Sequence, residues 1–196
     1  QEIFERPDTP VLWVFGCSHS VGVGLRAEEK KYSVIVSEQL GLPLKLIAQG
    51  GSSAQWSFRH LINADIRPDD TVIWQLTTPN RLTRADHNEL TEIQLSKTKD
   101  RYLLEVFNDQ QIFFQHINIL NIGVKYLRSK KVKFVLTSLL SENALFYDYL
   151  LEFTKYPEYC YNPKFDIDLG TDQLHVGPNS HKKLAQLLLT HLQSKS

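Results

Sequence analysis

Two short groups of residues carry the side chains that could do chemistry: Gly16-Cys17-Ser18 near the start of the chain and Asp172-Gln-Leu-His175 near its end. A hydroxyl, an imidazole and a carboxylate are the parts needed for acyl transfer. A serine hydroxyl is a poor nucleophile at neutral pH until a base takes its proton. An imidazole serves as that base when a carboxylate holds its tautomer and favours the cation that forms. The oxyanion that develops needs hydrogen-bond donors already in place. Either motif alone is weak: Gly-Cys-Ser is equally an ordinary turn, and most isolated Asp-x-x-His matches are accidental. Together they nominate Ser18 as nucleophile, His175 as base and Asp172 as the group that orients it.

Those residues need elements to hold them. Val11 to Phe15 is a run of five apolar residues, read as a short strand buried on both faces. It breaks at Gly16 into small residues, the layout of a nucleophile elbow at the carboxyl end of a parallel strand. In such a turn Ser18, two after the glycine, stands at the tip, and Cys17 turns back toward the sheet. Helix is expected from Glu28 to Leu40, stopped by Gly41, then a second buried strand from Leu44 to Ala48. Gly50-Gly51-Ser52-Ser53 makes the next turn, 54–64 a helix, and Thr71 to Leu76 a third strand followed by Thr77-Thr78-Pro79-Asn80-Arg81. Residues 82–101 are polar with little periodicity and read as an excursion over the strand ends. Leu103 to Leu127 is the most regular amphipathic helix, Val132 to Thr137 a fourth strand, and Leu184, Leu187, Leu188 and Leu192 stripe the last helix. The aromatic-rich stretch 141–165 has no readable order.

Strand–helix alternation at this spacing predicts an α/β fold with a parallel sheet, helices on both faces and ligands beyond the carboxyl strand ends. All three small-residue clusters then fall on neighbouring turns.

With the Ser in the first block and Asp-x-x-His in the last, the chain resembles the SGNH (GDSL-type) hydrolases. It looks like a bacterial and phage subgroup that begins Phe-Gly-Cys-Ser, as Phe15 to Ser18 do here, and carries a Thr-x-Pro-x-Arg-like third block, as Thr77 to Arg81 do. Cys17 stands where the family usually has Asp. The resemblance implies a three-layer, flavodoxin-like sheet of about five strands over a single domain, 1–196. It also implies an ester hydrolase that forms an acyl-enzyme on Ser18. The oxyanion donors it implies are the Ser18 N–H, Gly51 (or Gly50) and Asn80. The family's third block is Gly-x-Asn-Asp, so Asn80 is displaced by about one position and Thr78 stays open as the donor. A small acyl group, acetyl foremost, on a small-molecule or carbohydrate alcohol is the substrate class. O-acyl transfer to a polysaccharide, or binding without turnover, are the alternatives.

Composition bounds the rest. The chain has 196 residues, enough for one sizeable core, and 22 basic against 22 acidic residues. Zero net charge leaves no electrostatic footprint for nucleic acid, and no apolar run is long enough to span a membrane. Cys17 and Cys160 make no disulfide framework, which slightly favours a cytoplasmic, reducing setting. The chain opens at Gln1 and holds no Met, so location stays open, as does oligomeric state. No cofactor or metal is expected: His60, His87, His116 and His191 lack partners at ligand spacing. His181 reads as structural, and His19 as pointing away from the chemistry. Gly22-Val-Gly24-Leu-Arg-Ala27 matches a dinucleotide fingerprint but starts well past the strand, with Gln49 rather than an acid after strand two. A phosphate loop lacks its Lys, and a Cys-phosphatase loop built on Cys17 would need an arginine where Val23 stands.

Overall fold

The computed structural model describes residues 6–86, 89–99, 109–139, 156–160 and 167–194. Four parallel strands form the central sheet: β1 (Leu12–Gly16), β2 (Leu44–Ala48), β3 (Thr71–Leu76) and β6 (Lys133–Ser138), in the order β2-β1-β3-β6. Register sets Gly16 beside Ala48, and Phe15 beside Trp74. The sheet is one strand short of the expected five among the described residues. At its outer edge Tyr159 pairs with Leu136 as a single parallel bridge, where a fifth strand would lie.

Strand β1 shows why the sheet has three layers. Its alternate residues Trp13 and Phe15, with Val11 just before it, pack with Leu61, Trp74, Leu120, Val124 and Leu127, under helices α3 (Ala54–Ile62) and α4 (Asp109–Ser129). Leu12 and Val14 face the other way, onto Tyr32 and Val36 of α2 (Tyr32–Leu40) and Leu184, Ala185 and Leu188 of α5 (Pro178–Gln193). A strand buried on both faces has no room for a polar alternation, hence the unbroken apolar run. Strand β2 is at the edge and only half-buried along its whole length, not buried as its sequence suggested.

Helix α2 starts later than expected, at Tyr32. The Arg26 N–H donates to the Glu29 carboxylate at 2.8 Å, and the Glu29 N–H to the Arg26 carbonyl at 3.0 Å. Residues 26–29 therefore close a turn of their own. Helix α3 begins where Ser53 Oγ accepts the Trp56 N–H at 3.0 Å. The expected start of α4 at Leu103, and all but 156–160 of the aromatic stretch, lie outside the described residues.

The polar stretch after β3 is a β-hairpin, β4 (Arg81–Asp86) and β5 (Glu89–Gln94), antiparallel with Thr83 opposite Glu92. It is fastened to the start of α3: Glu92 accepts the Ser53 N–H and the Thr83 hydroxyl, each at 2.6 Å. At the opposite end of the sheet, the buried Asp70 carboxylate accepts the Val11 and Arg67 N–H groups and the Trp13 indole. It also takes both arms of the Arg6 fork, all five bonds at 2.8–2.9 Å.

Candidate active site

At the carboxyl end of β1 the chain turns sharply, and close packing explains its first residue. A Cβ on Gly16 would sit 2.1 Å from Ser20 Oγ and 2.7 Å from Gln75 Oε1. Those two side chains belong to a buried network beneath the turn. Gln75 Oε1 accepts the Cys17 N–H at 3.1 Å and the Ser20 hydroxyl at 2.9 Å, while Gln75 Nε2 donates to the Leu76 carbonyl at 2.6 Å. With the Ser20 proton so used, the Tyr32 hydroxyl donates to Ser20 Oγ at 2.6 Å. Burial raises the Tyr32 pKa, which keeps the phenol a donor. Cys17 is wholly buried, its sulfur 3.4 Å from Gln75 Oε1. Ser18 opens the four-residue helix α1 (Ser18–Val21) and is 6% exposed.

Asp172 and His175 meet on the loop before α5. Asp172 Oδ2 lies 2.5 Å from His175 Nδ1, and Oδ1 accepts the His175 and Leu174 N–H groups at 3.0 and 3.1 Å. These bonds, the His175 N–H first, push the Asp172 carboxyl down to about 2, so it is an anion throughout the neutral range. The loop is braced at both ends. Asp168 accepts the Asn179 and Ser180 N–H groups at 2.9 and 2.8 Å and so caps α5. Thr171 donates its N–H and hydroxyl to the Gly24 carbonyl, at 2.8 and 3.0 Å. Gly24 has φ of +89°, and a Cβ there would lie 2.8 Å from Asp172 Oδ1. Gly24, the second glycine of the run that mimics a nucleotide fingerprint, therefore forms the seat of the Asp–His loop.

His19 is closer to this pair than its sequence position suggested. It is 4% exposed, and its ring meets that of His175 edge-on with centroids 5.0 Å apart. Burial, then the neighbouring His175, His181 and Arg81, push its pKa down to about 3, so it forms a neutral wall. His181 is fully buried, accepts the Tyr32 N–H at 3.2 Å and stacks on the Tyr32 ring.

Two further turns flank the first. Ser52 Oγ and the Gln49 N–H both donate to the Gly16 carbonyl, at 3.2 and 3.3 Å, which docks the turn after β2 on the elbow. Within it Gly51, not Gly50, takes the left-handed conformation, at φ +78°. After β3, the Thr78 hydroxyl donates to Asn80 Oδ1 at 2.5 Å. That fixes the amide with its Nδ2 as the unused donor and spends the Thr78 proton. Arg81 Nη1 donates to Thr77 Oγ1 at 3.1 Å. The structure thus joins Asp172, His175 and His19 in one contact group and sets Ser18, Gly51 and Asn80 on adjoining turns. Sequence reasoning missed the Gln75–Ser20–Tyr32 network, for polar residues inside an apolar strand and helix carry no motif. Among the described residues, no group of three or more His, Cys, Asp or Glu is arranged to hold a metal ion, and no helix is long and apolar enough to cross a membrane.

No protein-family model and no curated protein matches the sequence. Solved structures do match. An acetyl xylan esterase from the rumen bacterium Butyrivibrio proteoclasticus superposes with a TM-score of 0.59 at 14% identity, over 97% of this chain and 65% of that one. The esterase EstA from Pseudoalteromonas, in a form inhibited by monoethylphosphonate, gives 0.57 at 11% identity over 95% of this chain and 98% of its own. A GDSL-like lipase from Bacteroides thetaiotaomicron gives 0.55 at 12% identity, covering 95% and 89%. At such identities the likeness is one of architecture: the chain has the three-layer α/β fold of the GDSL-type esterases.

Proposed function

We propose that the protein is a serine esterase that removes a small acyl group, acetyl foremost, from a carbohydrate or another small alcohol. The observation that carries this reading is the Asp172–His175 pair, held by three hydrogen bonds and seated on the loop that follows Ser18. Ser18 Oγ attacks the ester carbonyl carbon as its proton passes to His175 Nε2, the ring nitrogen not facing Asp172. The Ser18 and Gly51 N–H groups and Asn80 Nδ2 hold the resulting oxyanion. Collapse breaks the ester C–O bond, and His175 returns its proton to the departing alcohol. Water, activated by the same imidazole, then attacks the acyl-serine and frees the acid.

The test is which side chain becomes acylated. Ser18→Ala should abolish cleavage of 4-nitrophenyl acetate, Cys17→Ala should largely spare it, and an organophosphonate should label Ser18. Inactivation by thiol alkylation at Cys17, with Ser18→Ala still active, would overturn the assignment. Product analysis with a sugar acceptor present separates hydrolysis from transfer, and a preference for long-chain lipid esters would remove the small-acyl reading.

A further inference from the structure

Arg81 is an arginine without its counter-charge. Its Nη1 donates to Thr77 Oγ1 at 3.1 Å, while its Nε is buried with no acceptor. Among the described residues no carboxylate pairs with it. The other arginines held against this fold are treated differently. Arg6 forks onto Asp70 with two bonds of 2.8 Å, and Arg128 forks onto Glu158 with two more of 2.8 Å. A guanidinium that gives up water without an opposite charge destabilises a protein unless a ligand supplies that charge.

The position of Arg81 says where such a ligand would be. Strand β3 neighbours β1, so the turn from Thr77 to Arg81 flanks the turn that carries Ser18. Its charge reaches His19, whose ring packs against His175. One carboxylate of the same hairpin and one of the His175 loop are already engaged. Asp172 is taken up by His175 and Leu174, and Glu92 by Ser53 and Thr83. With Nη1 tied to Thr77 and Nε enclosed, Nη2 is left without an acceptor, a charged donor for one oxygen of an anion. A neutral sugar hydroxyl would leave the charge unmet.

We propose that Arg81 selects the substrate by pairing with an anionic substituent, a carboxylate or a phosphate, on the alcohol part of the ester. This inference rests on the esterase reading above and deepens it from carbohydrate esters in general to acidic ones.

The test uses three mono-O-acetylated sugars that differ only at C6: a methyl glucoside, the matching methyl glucuronoside and the matching methyl glucoside 6-phosphate. Wild-type protein should favour one or both anionic esters over the glucoside by roughly tenfold to hundredfold in kcat/KM, the worth of a charge-assisted hydrogen bond. The two acidic arms separate carboxylate from phosphate. In Arg81→Gln the anionic-to-neutral ratio should fall to near one, with Arg81→Lys in between, while thermal unfolding reports that each variant is folded. If Arg81→Gln does not fold, the ratio in Arg81→Lys decides. A wild-type ratio near one, or a ratio that survives in the variants, would overturn the proposal. So would a loss shared equally by all three esters, since Arg81 would then serve the reaction and not the choice of substrate. If no ester is turned over, 4-nitrophenyl acetate included, it is the esterase reading that fails. Binding of unacetylated methyl glucuronoside and methyl glucoside 6-phosphate, followed by NMR, then decides for Arg81. Binding lost in Arg81→Gln supports it, and no binding of either anion to the wild type overturns it.

Discussion

The backbone oxygen of Gly24 receives both donors of Thr171, the N–H at 2.8 Å and the hydroxyl at 3.0 Å, and so ties the loop after Ser18 to the loop of Asp172 and His175. The tie leaves no space for a side chain at Gly24. Gly24→Ala would face a φ of +89°, which costs about 1–3 kcal/mol for a non-glycine residue. It would also set a methyl group 2.8 Å from Asp172 Oδ1. We expect a folded variant whose turnover falls on the order of 10²-fold, as misplacement of a reacting group by about 1 Å does. Parallel kinetics and thermal melts check this. Wild-type turnover would mean that the two loops are positioned by other contacts.

Asp172→Asn should lower turnover at every pH, on the order of 10⁴-fold as in the best-studied triad. Its carboxyl is pushed down to about 2, and the buried His19 to about 3, so neither changes charge above pH ~4 by the usual titration width. An acid limb in the pH–rate profile above that point belongs to some other group. The variant should lose rate while thermal melts show that it is still folded. Near-wild-type turnover in a folded Asp172→Asn variant would make the pair structural.

Asn80 and Thr78 are separable because only one of them has a proton to give. The Thr78 hydroxyl is spent on Asn80 Oδ1 at 2.5 Å. Asn80→Ala should therefore cost about 10²–10³ in turnover, the loss typical of one oxyanion donor. Thr78→Val should cost less, since it frees the amide to rotate but leaves the donor. The reverse order, read from kcat on 4-nitrophenyl acetate, would make Thr78 the donor.

Gln75→Leu would leave buried without an acceptor the Cys17 N–H and one of the two hydroxyl protons of the Ser20–Tyr32 pair. Each unmet group costs about 1–3 kcal/mol, so the denaturation midpoint should drop well beyond what a surface change gives. Labelling of Ser18 by a phosphonate should slow in the fraction that stays folded. An unchanged midpoint would show that water or a rotated neighbour satisfies both donors.

Asp70 makes stability depend on acid. Burial alone would raise its pKa, but the Arg6 fork and the three N–H donors outweigh that and lower it. Its contribution is therefore complete above the unfolded value near ~3.9 and is lost as pH falls through the lower folded value. Asp70→Asn strands the Arg6 charge and should destabilise the protein by about 3–5 kcal/mol at neutral pH. Denaturation followed from roughly pH 2 to 5 should show a flatter acid limb in the variant. A limb as steep as the wild type's would assign it to other carboxylates.

What could be read in the sequence was whatever local residue type determines. The apolar run of β1, its break at Gly16 and the Asp-x-x-His spacing all report on neighbours in the chain. The hairpin of β4 and β5 escaped notice because the residues that fasten it, Thr83 and Glu92, are polar and bind Ser53 far back in the chain. His19 was misjudged for a similar reason. A histidine after a serine says nothing of burial, and only the arrival of His175 makes it a wall. The late start of α2 turns on one bond, Glu29 to the Arg26 N–H, that outcompetes helix propensity over 28–31.

The hydroxyl of Thr171 and the carbonyl of Gly24 are 147 residues apart along the chain. Loop closure over such a separation is among the last entropic hurdles a chain clears. The Ser18 turn needs only β1, its sheet neighbours and α2, all encoded early. The Asp172–His175 loop runs directly into α5, which packs on α2, so it can be seated only once both ends of the chain exist. On the esterase reading proposed above, Ser18 would meet its base only when the end of the chain is in place.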